Sequence, residues 1–352
     1  MRTINSSRLL LATALVALVT LAGCPKGKGM PGGGGMPGGG SIPGGDSVPG
    51  GLGGESGMVD PNSCGNYAAS DAGRKLKAFL QATKQLHETT EATIQVVKQS
   101  CIMMGNELGM VEGDYQGETK DICAKVWGAY RDNFKVAFKT KAALKIKYKP
   151  AVCRINVDAQ AKAAAECEGK ASADVGATCT GVCNGKCEGT CAGKAGTGGS
   201  GGDCNGECKG TCRGTCEGHA DVNASAECRT NATVRASVDM DCTEPELEVS
   251  MDAKATLDKS KAEMVIKAIK AGVPKLLSVK ARMEPLKYAV GIWAKSAQDL
   301  KGSARTLATS FKDQALCITG QIAAAASLIG NIQVNVSVSV EVSAEASGSV
   351  GG

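Results

Sequence analysis

"CTGVCNGKCEGTCAG" (residues 179–193) sets a cysteine at every fourth position with a glycine midway between. A second run in the same rhythm, "CNGECKGTCRGTCEG", occupies 204–218. Laid side by side as the arms of an antiparallel hairpin, the two runs bring together positions whose numbers total 395: Cys191 with Cys204, Cys187 with Cys208, Cys183 with Cys212, and Cys179 with Cys216. The repeat alone would generate those four matches. Spacing further out is irregular, yet Cys167 with Cys228, Cys153 with Cys242 and Pro150 with Pro245 keep the same total of 395. Connectivity is ordinarily hidden in a sequence. Here the mirror symmetry singles out six disulfides and the hairpin they cross-link.

Hydrophobic patterning points the same way. From Cys153 to Cys191 nearly every odd position is small or apolar (Ile155, Val157, Ala159, Ala161, Ala163, Ala165, then cysteine, glycine and alanine), and even positions are largely polar. On the return arm Val222, Val234, Val238 and Met240 hold even positions. Alternation of this kind is the signature of a strand with one dry face. It predicts arms over 142–191 and 204–253, on the order of 160 Å long if straight. Beyond the prolines the apolar parity flips on both arms, so that Leu144, Ile146 and Tyr148 face Met251, Val249 and Leu247. The other face would pair Lys147 with Glu248, Lys149 with Glu246 and Arg154 with Asp241, but also the like charges Lys186 with Lys209 and Glu188 with Glu207. Cysteines directly opposite one another would sit near the short end of disulfide geometry. A two-stranded ribbon is marginal in water. The expectation is that other parts of the chain cover its base and that disulfides replace such cover toward the tip, as a row of staples.

The flanks supply the cover. Residues 70–104 place Leu76, Phe79, Leu80, Leu86, Ile94, Val97, Cys101 and Met104 on one helical face. A second helix is predicted over 118–138. Two more follow the ribbon, from 257 to 270 and from 284 to 330, broken at Gly272-Val273-Pro274. The fold class is therefore α+β: a bundle of about four helices with an inserted antiparallel ribbon. The tail "NIQVNVSVSVEVSAEASGSV" alternates from Ile332 to Val342 and reads as a third strand, or as a flexible end. Cys64, Cys101, Cys123 and Cys317 remain, with three possible pairings. The reading takes Cys101 with Cys123, as a staple across a helical hairpin, and leaves Cys64 with Cys317.

The N-terminus sets the redox setting. "MRTINSSRLLLATALVALVTLAGC" has Arg2 and Arg8 ahead of an apolar core from Leu9 to Val19, too short to span a bilayer as a helix, and reads as a signal peptide. Leu21-Ala22-Gly23-Cys24 resembles the lipobox of bacterial lipoproteins. That resemblance implies a diacylglycerol on the Cys24 thiol, cleavage before it, and attachment of the mature chain to a membrane. Pro25 stands where the family's inner-membrane retention signal has aspartate, which favours the outer membrane. In residues 25–57 a Met/Ile/Val-Pro-Gly unit recurs at Pro31, Pro37, Pro43 and Pro49, a composition that makes an unfolded tether reaching about 30 Å. The organisation read from the sequence is thus signal peptide 1–23, tether 24–58, helical half 59–140, laddered hairpin 141–256, helical half 257–330 and tail 331–352.

Several chemistries lose ground on these residues. Without Arg2 and Arg8 the chain carries 38 basic against 35 acidic side chains, which is no footprint for nucleic acid. After the signal, "QIAAAASLIG" (321–330) is too brief to cross a membrane. His87 opens "HETTE", which has Glu91 where the H-E-x-x-H zinc motif needs a second histidine, so a solvated helix face is the better reading. His219, the only other histidine, has no triad around it. "GGSGG" (198–202) satisfies G-x-S-x-G formally but lacks the strand-to-helix context. No catalytic residue, metal or cofactor is implied. The expected role is non-enzymatic contact with another envelope or surface protein, at an oligomeric state the sequence leaves open. Two rivals remain: thiolate metal binding by reduced C-x-x-x-C cysteines, and a pore of amphipathic hairpins.

Overall fold

The computed structural model describes residues 59–193 and 202–350. The stretches read from the sequence as a signal peptide and a tether, Cys24 between them, and most of "GGSGG" lie outside those residues.

Within them the protein is α+β. Seven helices run Asp71–Glu107 (α1), Thr119–Ala137 (α2), Val157–Glu168 (α3), Ala226–Val238 (α4), Lys259–Thr309 (α5), Ala315–Ser327 (α6) and Ile329–Val350 (α7). Six strands run Leu144–Lys149 (β1), Cys153–Asn156 (β2), Ala177–Gly193 (β3), Asp203–Val222 (β4), Asp241–Cys242 (β5) and Glu246–Met251 (β6).

The long helices α1 and α5 build the body, and their apolar faces meet around the fully buried Phe79, Leu80, Leu86, Ile269, Leu276 and Trp293. Ser70 starts α1 as an N-cap, accepting from the Gly73 N–H. The expected break at Gly272-Val273-Pro274 does not occur: α5 passes through both Pro274 and Pro285. Burial explains the continuity. A Cβ at Gly272 would stand 2.3 Å from Met104 Cγ and 2.5 Å from the Ser100 carbonyl, so the glycine marks where the α1 and α5 backbones press together. Packing on that scale outweighs the ~3 kcal/mol that an internal proline costs a helix.

The tail is not a strand. It is α7, with Ile332, Val336, Ser339, Val342, Ser343 and Ala346 buried on one face at helical spacing. The alternating Val-Ser stretch loses to that burial because its inward positions also fall three and four apart. This changes the membrane arithmetic too. Lys312–Ser349 is long and apolar enough to cross a bilayer by length and composition, and only 22% of its most apolar window is buried. "QIAAAASLIG" looked too brief because a strand was expected to follow it.

The base of the ribbon forms as predicted. β1 and β6 pair antiparallel, Leu144 with Met251, Ile146 with Val249 and Tyr148 with Leu247. Lys147 meets Glu248 at 3.3 Å and Lys149 meets Glu246. Their apolar side joins the main core of the helical body. Pairing lapses around Pro150 and Pro245 and resumes at Cys153 with Cys242 and Arg154 with Asp241. Arg154 nevertheless turns its guanidinium to Glu217, at 2.8 Å, rather than to Asp241.

There the continuous ribbon ends. Where arms were expected, α3 and α4 stand side by side, still mirrored. Asn156 caps α3 by accepting from the Ala159 N–H at 2.9 Å, alanine fills its interior, and Gly169 closes it in the left-handed region at φ +68°. Alternating alanines are silent about which face is dry, because alanine fits a helix on any side. Seven of the twelve residues from Val157 to Glu168 are buried, among them the consecutive Ala163, Ala164 and Ala165, which a strand with one dry face would not bury together.

Candidate functional site

The distinctive feature is the distal hairpin of β3 and β4. Its backbone register differs from the disulfide register by one repeat. Gly181 lies opposite Gly218, Cys183 opposite Cys216, Cys187 opposite Cys212 and Cys191 opposite Cys208. The bonds, however, run Cys179–Cys216, Cys183–Cys212, Cys187–Cys208 and Cys191–Cys204. In a flat ribbon an offset of four residues would separate the partners by about 13 Å along the strand. The Cα–Cα distances are 5.7, 6.0, 5.7 and 5.8 Å. The ribbon must therefore coil. Residues 183–186 of β3 pair with 213–216 of β4 and also with 203–206, so β4 returns to the other edge of β3 after ten residues. Each bridge crosses the interior of the resulting tube.

Two expectations are corrected by this geometry. The bridged cysteines of the coil are not direct cross-strand partners, and their Cα separations lie in the middle of the disulfide range; only Cys153–Cys242, at 4.0 Å, joins directly opposed residues. The like-charge pairs expected from the sequence, Lys186 with Lys209 and Glu188 with Glu207, are not formed, since Lys209 lies opposite Thr190 and Glu207 opposite Ala192. Lys186 instead stands opposite another cation, Arg213, with Asp203 on its other edge, and Arg213 is drawn to Glu188 at 2.9 Å.

Glycine permits the coil. Gly185 has φ +148° and Gly214 φ +120°, and a Cβ on Gly185 would stand 2.0 Å from the Arg213 carbonyl. No side chain fits between the strands there. With the backbones this close, Cys183, Cys187, Cys212 and Cys216 are almost wholly buried. The exterior carries Thr180, Lys186, Glu188, Thr190, Asn205 and Lys209, all exposed.

The coil is fixed to the body. β2 takes the free edge of β4 through Ile155 opposite Cys216 and Asn156 opposite Thr215, giving the sheet order β3-β4-β2-β5. The cysteine stack merges with Ile155, Val157, Ala161, Val175, Ala220, Val222 and Met240 into a second core. Gln160, buried, donates from Nε2 to the Ala220 carbonyl at 2.9 Å. Below it, Cys167–Cys228 ties α3 to α4 with Cα atoms 5.4 Å apart. Glu168 then accepts from the Ser225 N–H at the start of α4 and receives Lys75 of α1 at 3.1 Å. Burial on its own would raise the Glu168 pKa; the donors at Ser225 and the Lys75 ammonium outweigh it and bring it down to about 2.

A cleft of about 710 Å³ opens where the coil meets α4 and α5, lined in part by His219, Arg229, Glu284, Lys287, Tyr288 and Asp299. His219 stacks on Tyr288 with ring centroids 3.9 Å apart, and Arg229 pairs with Asp221. These polar groups brace the joint between hairpin and body.

No protein-family model, curated protein or solved structure matches this chain. Its own geometry carries the functional reading.

The structure brings together every cysteine pair named from the sequence among the described residues, including Cys101 with Cys123 and Cys64 with Cys317. This disulfide content marks an extracytoplasmic protein. Thiolate metal binding would need sulfurs that the structure holds in bridges, and no cluster of three or more metal-ligating side chains occurs among the described residues. A pore of hairpins would need an outward apolar face, whereas the dry face of this hairpin is turned into the coil. His87 is half-buried on α1 with no partner for Nδ1, and Glu91 accepts from Asn335 at 2.8 Å. The cleft at the coil's foot and the tyrosine against His219 were not legible in the sequence, since Tyr288 stands 69 residues away in an otherwise ordinary helical stretch.

Proposed function

We propose that this protein is a non-enzymatic lipoprotein of the cell envelope, anchored through Cys24 and acting as a rigid display: the disulfide-filled coil is held out as a contact surface for another envelope or surface protein. The observation that supports it is the inversion of the hairpin. Its sulfurs fill the inside, so the outside is free for polar recognition by Lys186, Glu188, Lys209 and Arg213. A coil whose neighbouring rungs are bonded has little conformational entropy left to lose on binding, which favours affinity from a small surface. The outer membrane is the favoured address, following the lipobox resemblance.

Site-specific photocrosslinking in intact envelopes tests the contact role. A crosslinker at Thr190 or Lys209 on the coil should give a discrete heteromeric adduct, and one at Glu112 on the body should not. Equal adducts from both places, or none from the coil, would overturn the reading. The anchor has its own test: Cys24→Ala should abolish incorporation of an alkyne-labelled fatty acid and release the protein from membranes.

A further inference from the structure

A second cleft, of about 590 Å³, lies on the body away from the coil. Its floor comes from one face of α2 and the start of the ribbon's base: Trp127, Tyr130, Phe134, Phe138, Leu144 and Ile146. The four aromatic rings form a row, with successive centroids 5.4, 6.0 and 5.0 Å apart. At 1.5 Å of rise per residue, the span from Trp127 to Phe138 is about 16 Å. Its volume falls within the range of about 300–1,000 Å³ typical of small-molecule sites.

The rim has one sign of charge. Arg131, Lys135, Lys139 and Lys141 line the cleft, and no carboxylate does. Arg131 is engaged by Glu345 and Lys135 by Asp132. Lys139 and Lys141 have no carboxylate within salt-bridge distance among the described residues, and both are exposed. Burial pushes the Tyr130 phenol up to about 12, so it stays neutral.

An elongated apolar floor ending at unpaired ammonium groups suits one kind of molecule. A compact ring would cover a single turn of α2, and a neutral chain would leave the rim charges unused. We propose that this cleft binds a free long-chain fatty acid as its carboxylate, with the acyl chain along Tyr130, Phe134, Phe138 and Ile146 and the carboxylate at Lys139 and Lys141.

Calorimetric titration of the full-length protein with palmitate, below its critical micelle concentration, tests this directly. One palmitate per chain should bind at micromolar concentration. Lys139→Glu combined with Lys141→Glu should weaken binding at least about tenfold, which is about 1.4 kcal/mol, and hexadecanol should bind more weakly than palmitate to the native protein. Ile146→Glu places a charge on the floor from a half-buried strand position and should also weaken binding; an unchanged melting curve for each variant keeps folding out of the comparison. Absence of palmitate binding, equal binding by the native and charge-reversed proteins, or binding only to phosphatidylglycerol vesicles would overturn the proposal.

Discussion

Cys183 and Cys216 face each other across the backbone ladder and are not bonded; Cys183 is bonded to Cys212, one repeat away. A flat hairpin cannot satisfy both facts at a Cα–Cα distance of 6.0 Å. Coiling, glycine placement and disulfide offset are therefore one feature, and disturbing any of them should disturb the others.

Gly185→Ala is the sharpest disturbance. The added methyl would meet the Arg213 carbonyl at 2.0 Å, on a residue at φ +148°. Backbone cannot yield there as a flexible side chain would, so the rungs on either side should fail to close. The expected outcome is free thiol at Cys183, Cys187, Cys208 and Cys212 by alkylation and mass mapping, with the helical body still folded by circular dichroism. Gly291→Ala, whose Cβ would meet nothing within 4 Å, is the control.

Reduction should proceed from the tip. Exchange requires the attacking thiolate to reach a sulfur. Cys191 is only partly buried, whereas Cys183 and Cys216 are 0% exposed. Limited dithiothreitol followed by alkylation should label Cys191 and Cys204 first, and Cys183 and Cys212 only after them. Labelling that begins at Cys183 would contradict a closed coil.

The mirror in the sequence survived a change of secondary structure, and the reason is topological. Six cysteine pairs sharing one total require two antiparallel arms, but they do not require strands. Cys167 and Cys228 meet just as well between α3 and α4. Alternation misled over 157–168, since alanine at odd positions fits strand and helix alike; Asn156, Asp158 and Gly169 were the local signals for a helix. It misled again at 332–342, where only the surface offered by the other helices decides between periods. The coil itself left a trace that was readable: glycine two residues after each cysteine has no reason to be there in a flat strand. Neither cleft was readable: the first joins residues far apart in the chain, and the second, though most of its lining falls within 127–146, depends on how α2 and β1 fold against each other.

Glu168 should give the protein an acid-sensitive joint. Its carboxyl binds a proton less tightly when folded, at about 2 against 4.5 otherwise. The stabilisation is thus complete above about pH 4.5 and is lost as pH falls toward 2, on the order of 1–3 kcal/mol. Glu168→Gln should lower stability by that order at pH 7, with the gap to the native protein closing near pH 2. Denaturant titrations at both pH values measure it, and parallel curves would remove Glu168 from the account.

Thr83 tests the body alone. Trp293, wholly buried, donates its Nε1–H to Thr83 Oγ1 at 2.8 Å, and the same hydroxyl donates to the Phe79 carbonyl at 3.0 Å. Thr83→Val keeps the shape and removes the acceptor, leaving an indole N–H buried without a partner, which costs about 1–3 kcal/mol. Thr83→Ser keeps the acceptor and loses one methyl, on the order of 1 kcal/mol. The hydroxyl matters more than the methyl only if the bond to Trp293 is made, so valine should be the more destabilising change in urea unfolding followed by tryptophan fluorescence. Valine equal to or milder than serine would show that α1 and α5 meet there by packing alone.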